Sequence, residues 1–520
     1  MRTLPSRVAG AWVAASGPLE TLLNPATEEP LAQAGAEGVD RRTALEFARA
    51  KGGPALRALS LAERGVLIRA VCDAIQAHRD ELIGLAIANG GNTRSDAKFD
   101  IDGATFTLAA YADLGKSLGD ARVLVDGAGI QLGRTPRFHG QHICVPRHGV
   151  AIHINAFNFP AWGLAEKAAV ALLAGMPVVA KPATSSALVA HRIMEILIEK
   201  QVLPEGALSL LMGAAGDLLQ HVGPQDVVAF TGSGATGELI RGLPPVIRHS
   251  VRVNVEADSL NAAILGPDAE PGSEIYDYYV KDVLRDMTQK AGQKCTAIRR
   301  VLVPASVADR VREDLVDRLA SLVVGNPAQE NVRMGPVATA QQLKDVREGI
   351  DALARDGRLV FGHSAKPVGV PEGKGYFVGP VLIEVEPGAE AKTVHSHEVF
   401  GPVATVVPYD GSATQAASIV ARGNGGLVSS VYSEDVPFTS EVVLGLAPYH
   451  GRVFLGSAKI AEQSPGPGTV LPTLVHGGPG RAGGGEELGG LRGLGFYSQR
   501  VALEGSRPVI DKITGAKPSA

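Results

Sequence analysis

The feature that most constrains the fold is an alternation of short apolar segments with helical ones between residues 149 and 255. Strands are predicted at 149–155, 177–180, 208–211, 227–230 and 251–255, with helices at 161–174 and 186–200 among them. Strands separated by helices predict a parallel sheet with crossover helices, an architecture that binds nucleotides at its strand ends. A second series from about 260 to 456 repeats the pattern, so the predicted fold class is α/β.

The remaining segments have different patterns. Residues 1–40 are predicted as short strands and turns, and residues 41–119 as helices. Residues 137–147 alternate like a strand and are predicted to form an arm outside the main body. The stretch 464–495 is rich in Gly and Pro but interrupted by Leu and Val, so we predict an ordered loop across a cleft mouth.

Composition limits the classes of function. A length of 520 residues allows two or three domains, and a net charge of −4 gives no reason to expect a nucleic-acid partner. Three cysteines are too few and too scattered for a disulfide frame or a zinc site, so no metal is expected. The first residues lack the apolar core of a secretory signal, and no apolar run is long enough to cross a bilayer. These features predict a soluble, cytoplasmic protein.

Cys295 lies in a turn at residues 289–297. An apolar stripe over residues 275–287 predicts a helix that Gly292 breaks, and a β-rich run follows at 298–303. Between two anchored elements the thiol can point into a cleft. Lys294 and the free N–H groups of the turn are expected to favour the reactive thiolate. Taken alone, a cysteine is more often a small buried hydrophobe.

Other candidates are equally ambiguous when each is taken alone. Residues 232–237 form a Gly-x-Gly-x-x-Gly after a strand, suited to a pyrophosphate but also to a tight turn. Asn158 can donate to an oxyanion or cap a helix. Glu256 ends a predicted strand, where it is a general base or a solvated carboxylate. Lys167 and Glu487 taken singly indicate surface charges.

Several motifs then occur in a fixed order between residues 155 and 402. They are Asn158-Phe159-Pro160, Lys181-Pro182-Ala183, Phe230-Thr231-Gly232-Ser233, Glu256, Gly292-Gln293-Lys294-Cys295 and Glu398-Val399-Phe400-Gly401-Pro402. This series resembles the NAD(P)-dependent aldehyde dehydrogenase superfamily over nearly the whole chain. The resemblance implies a Rossmann-like nucleotide-binding domain (1–135 and 149–258), an α/β catalytic domain (259–460) and a small β bridging or oligomerisation element (136–148 and 480–510).

The resemblance also implies roles for individual residues. Cys295 corresponds to the nucleophile, Glu256 to the base for the hydrolytic water, and Asn158 with the Cys295 N–H to the oxyanion hole. Lys167 and Glu487 match a proton-relay pair. The implied cofactor-binding residues are Ile154, Asn155, Ala156, Phe157, Lys181, Ala183, Thr184, Ser185, Gly213, Phe230, Thr231, Gly232, Ser233, Ala257, Glu398 and Phe400.

Three departures from the family pattern stand out. Phe157 replaces the usual Trp, and Ala257-Asp258-Ser259 replaces the usual Leu-Gly-Gly after the base. Many NAD-preferring members have Glu after Lys-Pro-Ala, where this chain has Thr184. Without that carboxylate a 2′-phosphate meets hydroxyl donors and no like charge, so we predict NADP as the cofactor, with weaker use of NAD.

The variant base motif and the stretch 475–490 resemble a subgroup of semialdehyde dehydrogenases that act on ring-cleaved CoA thioesters in aerobic aromatic degradation. The implied substrate is a CoA-linked semialdehyde, and the implied state is a homodimer. Other interpretations remain open: a general or phenylacetate-route semialdehyde dehydrogenase, a CoA-acylating enzyme, a non-catalytic protein of the same fold, and a cysteine hydrolase. Glu256 argues against CoA acylation, and no His stands in a recognisable dyad motif for a hydrolase.

Overall fold

A computed structural model describes residues 1–364, 366–385 and 391–515. Its strands are β1 (Arg2–Leu4), β2 (Ser6–Val8), β3 (Ala11–Val13), β4 (Glu20–Leu23), β5 (Pro30–Ala34), β6 (Leu124–Gln131), β7 (Phe138–Pro146), β8 (Ala151–Ile154), β9 (Val178–Lys181), β10 (Leu208–Leu210), β11 (Val227–Thr231), β12 (Arg252–Glu256), β13 (Ala262–Leu265), β14 (Arg300–Pro304), β15 (Arg358–Gly362), β16 (Val381–Glu384), β17 (Val403–Tyr409), β18 (Gly426–Tyr432), β19 (His450–Gly456), β20 (Val475–Gly478), β21 (Gly485–Leu488) and β22 (Ser498–Ser506).

The α-helices are α1 (Arg41–Phe47), α2 (Gly53–Arg57), α3 (Leu61–Ala77), α4 (Arg79–Gly90), α5 (Arg94–Leu118), α6 (Trp162–Ala174), α7 (Leu188–Glu199), α8 (Gly234–Arg241), α9 (Pro244–Arg248), α10 (Glu274–Thr288), α11 (Ala308–Ala320), α12 (Ala340–Leu353), α13 (Ala413–Ala421), α14 (Val436–Leu446), α15 (Leu491–Tyr497) and α16 (Arg507–Thr514). Local signals explain several boundaries: Ser60 and Glu63 form a capping box at the start of α3, and Gly175 ends α6 in a left-handed conformation.

The first large sheet has seven strands in the order β12-β11-β8-β9-β10-β2-β3. The five strands from β12 to β10 are parallel, as the sequence predicts, and β2 and β3 add an antiparallel edge. Strand β8 is followed in the chain by β9 on one side, while β11 lies on its other side. The order in which successive strands are added to the sheet therefore reverses between β8 and β11, although the two strands are parallel. Ligands of open α/β sheets bind in the crevice at such a switch point.

The second large sheet has the order β15-β16-β17-β14-β13-β18-β19. It is parallel from β16 to β19, and β15 pairs antiparallel with β16 at one edge. The first sheet takes its strands from residues 6–13 and 151–256, and the second takes them from 262–456. The predicted boundary at residue 258 falls between the two sets, and the domain assignment itself stays a prediction.

The arm is a three-stranded antiparallel sheet, β22-β7-β6, in which β7 pairs with β22 over nine residue pairs. Strand β6 lies in the segment 1–135 that the sequence analysis assigns to the nucleotide-binding domain, and in the structure it pairs with β7 of the arm. Gly127 and Gly129 obscure its alternation, and a shift of register between Asp126 and Ile130 interrupts its pairing. Residues 475–488 form a separate hairpin, β20-β21, so the predicted bridging segment 480–510 covers two different sheets.

The helices α3, α5 and α6 form the centre of the largest apolar cluster, with Leu108, Trp162 and Leu173 buried among them. None of the described helices is long and apolar enough to cross a membrane. The packing brings the loops after β8, β11 and β12 against the turn that precedes β14.

Candidate active site

The turn that carries Cys295 is held in an uncommon conformation. Helix α10 ends at Thr288, earlier than Gly292, and a 3₁₀ turn occupies Gln289–Gly292. Lys290, Ala291 and Gly292 have φ values of 54°, 52° and 69°. Left-handed backbone costs about 1–2 kcal/mol at a residue with a side chain, so the surrounding structure must impose it. Asn261 helps to do so, because its amide donates to the carbonyl oxygens of Cys295 and Ala297 at 2.8 and 2.9 Å.

The prediction that Lys294 favours the thiolate is wrong. Its ammonium group is buried and donates to Asp286 and Gln289, each at 2.8 Å. Burial raises the pKa of the Cys295 thiol well above its ordinary value, and the nearby Glu256 carboxylate raises it further. The Lys294 charge is paired with the buried Asp286 carboxylate, so proximity in sequence does not make it a counter-charge for the sulfur.

The predicted catalytic residues Cys295, Asn158 and Glu256 converge. All three line both of two adjoining cavities. Asn158 follows β8, and its amide donates to the Gln293 carbonyl at 3.0 Å, which fixes it against the nucleophile turn. Glu256 is the last residue of β12 and is 2% exposed. Asn158 and Glu256 lie at the carboxyl ends of parallel strands. Cys295, which is 137 residues after Asn158 in the sequence, meets them there from the turn before β14.

One functional candidate was missed in the sequence. His476, on β20, places its Nε2 atom 3.1 Å from Oε1 of Glu256 and 3.9 Å from Sγ of Cys295. Burial lowers the pKa of His476, but the Glu256 carboxylate outweighs burial and leaves that pKa above its ordinary value. The sequence shows no His in a recognisable dyad motif, and the structure brings His476 beside the cysteine from a point 181 residues further along the chain. The available signal was the one histidine in the Gly-rich stretch 464–495, which was predicted to cross a cleft mouth.

Lys167 and Glu487 also meet. The Lys167 Nζ atom lies 3.1 Å from Oε2 of Glu487 and 3.0 Å from Oε1 of Glu166, and Asn254 donates to Oε1 of Glu487 at 2.9 Å. Burial opposes the charged form of Lys167, but the surrounding carboxylates raise its pKa well above the ordinary value. Burial raises the pKa of Glu487 to about 7, although Lys167 acts in the opposite direction.

Glu256 connects this cluster to Cys295. Burial by itself raises the pKa of Glu256, but His476 and then Lys167 outweigh burial, so the pKa falls below the ordinary value. The Glu256 side chain is therefore an anion between two groups that can hold protons.

The larger cavity, about 510 Å³, is a cleft at the switch point of the first sheet. Nine of the sixteen predicted cofactor-binding residues line it: Ala156, Phe157, Ala183, Thr231, Gly232, Ser233, Ala257, Glu398 and Phe400. Its position fits a dinucleotide, because it lies at the carboxyl ends of parallel strands and includes Ser233, which caps the start of α8. Asp258 lies at the same place and accepts from the Gly234 N–H at 3.1 Å.

The other seven predicted cofactor residues lie around the cleft and are not part of its lining. Asn155 lines the smaller cavity, while Phe230 is buried and Ile154 partly buried in the apolar layer beneath the sheet. Lys181 ends β9 and donates to the Pro182 carbonyl, and Thr184 and Ser185 form the 3₁₀ turn that follows. Gly213 is buried against Gly35 and Ala36.

Glu398 and Phe400 form the wall of the cleft opposite the first sheet. The Glu398 carboxylate accepts from the Ser259 N–H at 2.8 Å and from Arg299 at 3.3 Å. Burial raises the pKa of Glu398 to about 7, against the effect of Arg299. The ring centroids of Phe400 and Phe157 lie 5.9 Å apart, edge to face. These two rings narrow the cleft close to Cys295.

The smaller cavity is apolar and lies on the other side of Cys295. Its walls include Phe99, Phe159, Trp162 and Val470, and the three aromatic rings pack edge to face. Three of its lining residues also border a more open cavity of about 400 Å³ that includes Phe106 and Arg285: Phe99, Trp162 and Val470. Cys295 thus borders two cavities, the dinucleotide cleft and a small cavity with a mainly apolar lining.

Among the residues that the structure describes, two clusters have the ligand types and spacing of a metal site. The ligand atoms of Glu256, Cys295 and His476 lie within 4.8 Å of one another, as do those of Glu166, Glu256 and Glu487. The second cluster surrounds the Lys167 ammonium, which already supplies its positive charge. The first is the reacting centre described above.

Comparison with known proteins identifies the fold and the chemistry. The aldehyde dehydrogenase family profile matches residues 12–499. The chain belongs to this family. Its members are oxidoreductases that act on aldehydes, and the family uses a nicotinamide dinucleotide, so NAD or NADP is the group that the cleft fits.

Individual relatives agree with this assignment. The chain is 47% identical to 3,4-dehydroadipyl-CoA semialdehyde dehydrogenase of Aromatoleum evansii over 478 residues, which cover 92% of this chain and 93% of the relative. The structure of lactaldehyde dehydrogenase from Escherichia coli superposes with a TM-score of 0.83 at 25% identity, covering 96% of this chain and 99% of that one. Betaine aldehyde dehydrogenase from Staphylococcus aureus, solved with NAD⁺, has the same fold, with a TM-score of 0.81 at 23% identity over 99% and 96% of the two chains.

Proposed function

We propose that this aldehyde dehydrogenase oxidises a CoA-linked semialdehyde, a ring-cleavage product of the 3,4-dehydroadipyl-CoA semialdehyde type, to the carboxylic acid with NADP. The observation that carries the proposal is the position of Cys295 between the dinucleotide cleft and the apolar cavity, beside Asn158 and Glu256. The relative at 47% identity supports the choice of substrate.

In the acylation half, the Cys295 thiolate attacks the aldehyde carbon and forms a thiohemiacetal oxyanion. The Asn158 amide and the Cys295 N–H are the donors proposed for that oxyanion. Loss of one such donor typically costs about 3 kcal/mol of transition-state stabilisation. Glu398 and Phe400 would hold the nicotinamide end of a dinucleotide in the cleft, which would supply the hydride acceptor needed for thioester formation. Phe157 and Phe400 narrow the cleft at this point and would limit the access of water.

In the deacylation half, Glu256 takes a proton from the water that attacks the thioester, and Cys295 is released. Glu256 is an anion held in place by a hydrogen bond from His476, so it is ready to accept that proton. Lys167 and Glu487 would carry the proton onward, since Glu487 changes its charge near neutral pH. The carboxylate argues against a CoA-acylating reaction, in which free CoA would resolve the thioester.

The shape of the substrate side favours a linear chain. The cavity at Cys295 is small, about 40 Å³, and shares Phe99, Trp162 and Val470 with the wider one of about 400 Å³. An extended acyl chain fills the narrow part, while a bulky head group such as a CoA moiety remains outside. A free short semialdehyde would make fewer contacts, and this would raise its KM.

We propose NADP over NAD because of the residues at the end of β9 and in the turn that follows it. Lys181 supplies a cation there, and Thr184 and Ser185 supply hydroxyl groups in the turn that follows. A 2′-phosphate gains charge-assisted hydrogen bonds from such groups, whereas a carboxylate at residue 184 would repel it.

We also propose a homodimer built through the arm. The β22-β7-β6 sheet has exposed apolar side chains, including Val125, Ile130 and Val501, and an unpaired edge at β6. Exposed sheet edges with apolar side chains are typical of surfaces covered by another chain.

The test is a steady-state comparison of CoA-linked and free semialdehydes of matched chain length, each with NADP and with NAD. The expected result is a higher kcat/KM for the CoA-linked aldehyde with NADP, and a free carboxylic acid as the product by mass spectrometry. A new thioester would contradict hydrolysis, and equal kcat/KM for the free aldehyde would contradict the substrate. Cys295→Ala should abolish turnover and keep NADP binding; activity retained in that variant would contradict the nucleophile.

A further inference from the structure

His476 is a buried titratable residue that the reaction described above uses only as a hydrogen-bond donor. The same atom, Nε2, lies 3.1 Å from Oε1 of Glu256 and 3.9 Å from Sγ of Cys295. One nitrogen carries at most one proton, so it can donate to only one of these neighbours at a time or accept from one of them. The side chain is 2% exposed, so water cannot easily replace either contact.

The Cys295 thiol needs a proton acceptor, because burial and the Glu256 carboxylate both make its ionisation harder. Lys294 does not supply a compensating charge, since its ammonium group is directed to Asp286 and Gln289. If Glu256 accepted the thiol proton, it would have to release it again before it could serve as the base for water. The site therefore needs two acceptors or an extra proton transfer.

We propose that His476 is a catalytic residue that accepts the thiol proton of Cys295 at Nε2 and so leaves Glu256 free for the hydrolytic water. In the resting enzyme the imidazole proton is on Nδ1, and Nε2 is free to accept. The S–H bond breaks, the Nε2–H bond forms, and the thiolate lies beside the imidazolium while it attacks the aldehyde. The new Nε2–H is the group that donates to Glu256 during deacylation. When the thioester is hydrolysed, the sulfur departs as a thiolate and takes the same proton back from Nε2. His476 thus ends each turnover as it began, and the proton from water passes through Glu256. This inference rests on the proposed function.

The charges around His476 are compatible with an imidazolium. Glu256 on β12 and Glu166 on α6 favour its charged form, and Arg452 on β19 disfavours it. Lys167 on α6 is also close, but Glu166 and Glu487 balance its charge. For Cys295 the facing carboxylates are Glu256, Glu166 and Glu398, all of which oppose a thiolate. An imidazolium 3.9 Å from the sulfur is the counter-charge that this acidic surrounding otherwise lacks.

The main test, alkylation of Cys295, reports on the thiolate and needs no aldehyde; the NADPH burst is a supporting measurement. The rate of alkylation of Cys295 by iodoacetamide is followed from pH 5.5 to 9.5 in the full-length enzyme and in His476→Gln and His476→Phe. Gln keeps an N–H donor for Glu256 but cannot accept a proton, and Phe keeps the ring shape. In both variants we expect the midpoint of the alkylation profile to move up by about one pH unit or more, and the burst of NADPH at pH 7 to slow about tenfold or more.

His450→Gln is the matched control, because His450 is also buried, on β19, and is bonded to Ser429 and Leu446. That variant should keep the wild-type alkylation profile. A wild-type profile in His476→Gln would overturn the proposal, because donation to Glu256 would then be enough. So would a uniform loss of reactivity at every pH in both His476 variants, which would indicate a structural role only.

A second measurement does not depend on a reagent reaching Cys295. The absorbance of the thiolate near 240 nm is titrated in the wild-type enzyme and in His476→Gln, each against Cys295→Ser. A lower midpoint in the wild type than in His476→Gln is expected, because the imidazolium offsets the carboxylates that raise the pKa of the thiol. Equal midpoints would overturn the proposal even if the enzyme oxidises the expected aldehyde. A failure of the substrate screen would leave both thiol measurements unaffected, so the two failures are distinguishable.

Discussion

The Nζ atom of Lys167 lies 3.1 Å from Oε2 of Glu487 and 3.0 Å from Oε1 of Glu166, with all three charges in the protein interior. One cation therefore serves two carboxylates, and Glu256 is a third that influences it. A single ammonium cannot fully stabilise that much negative charge at low dielectric. The consequence is that Glu487 changes its protonation near pH 7, close to the pH at which the enzyme would work.

The first prediction concerns this titration. Because burial raises the pKa of Glu487 from 4.5 to about 7, the folded protein keeps a proton between these pH values that the unfolded chain has lost. The free energy of unfolding should therefore decrease as pH rises through that window. We expect the Tm of the wild type, relative to that of Glu487→Gln, to fall between pH 5 and 7.5. Thermal unfolding in matched buffers measures this difference.

The same substitution has a kinetic consequence. Deacylation in the wild type should speed up with pH around an inflection near 7, and the inflection should be absent in Glu487→Gln. A pH-rate profile of the variant that keeps the inflection would assign it to another group, for which Glu398, whose pKa is also about 7, is the nearest candidate.

The second prediction concerns Glu256. In Glu256→Gln the amide still accepts from the His476 Nε2–H but cannot take a proton from water. We expect a normal first-turnover burst of NADPH followed by a steady-state rate lower by about 100-fold or more. Rapid-mixing absorbance at 340 nm separates the two phases. A steady state as fast as that of the wild type would remove Glu256 from the role of base.

Much of this site follows from local sequence patterns. The strands β8, β9, β11 and β12 are short, apolar and bounded by turn residues, so the ends that carry Asn158 and Glu256 could be predicted to within a residue or two. Parallel pairing of those strands then brings their carboxyl ends together. Cys295 could be assigned to the same site only from the family motifs. It lies in the turn before β14 of the second sheet, and no sequence periodicity connects that turn with the strands of the first sheet.

The sequence analysis is wrong or incomplete where contacts between distant parts of the chain determine the position of a side chain or strand. Lys294 is next to Cys295 in the chain, yet the left-handed turn directs it to Asp286, and no local pattern predicts that. His476 lies beside Glu256 and Cys295 only because the β20-β21 hairpin packs against β12 and β19. Strand β6 contains two glycines and is largely exposed, so it lacks the alternation that marked β7.

The third prediction tests the cofactor. Thr184→Glu places a carboxylate at the start of the turn after β9, where it would repel a 2′-phosphate and could accept from ribose hydroxyls. We expect kcat/KM for NADP to fall about tenfold or more and kcat/KM for NAD to rise. Thr184→Gln has nearly the same shape without the charge and is the matched control. The cofactor assignment fails if the wild type already uses NAD as well as NADP.

The fourth prediction concerns the turn before the nucleophile. Gly292 has a φ of 69°, and a Cβ atom added there would lie 2.0 Å from the Gly401 carbonyl oxygen. Backbone cannot move aside as a flexible side chain can, so Gly292→Ala must shift either the turn or residues 401–402. We expect a loss of about 3 kcal/mol in the free energy of unfolding, from strain and displaced packing together.

Chemical denaturation measures it, with Gly373→Ala as the control, because Gly373 has a φ of 71° and open space around its missing Cβ. The control should lose only the smaller cost of left-handed backbone, about 1–2 kcal/mol. If the two variants were equally destabilised, the contact with Gly401 would not be what holds the turn. The same displacement would move Sγ of Cys295 away from Asn158, so kcat should fall in Gly292→Ala and remain unchanged in the control.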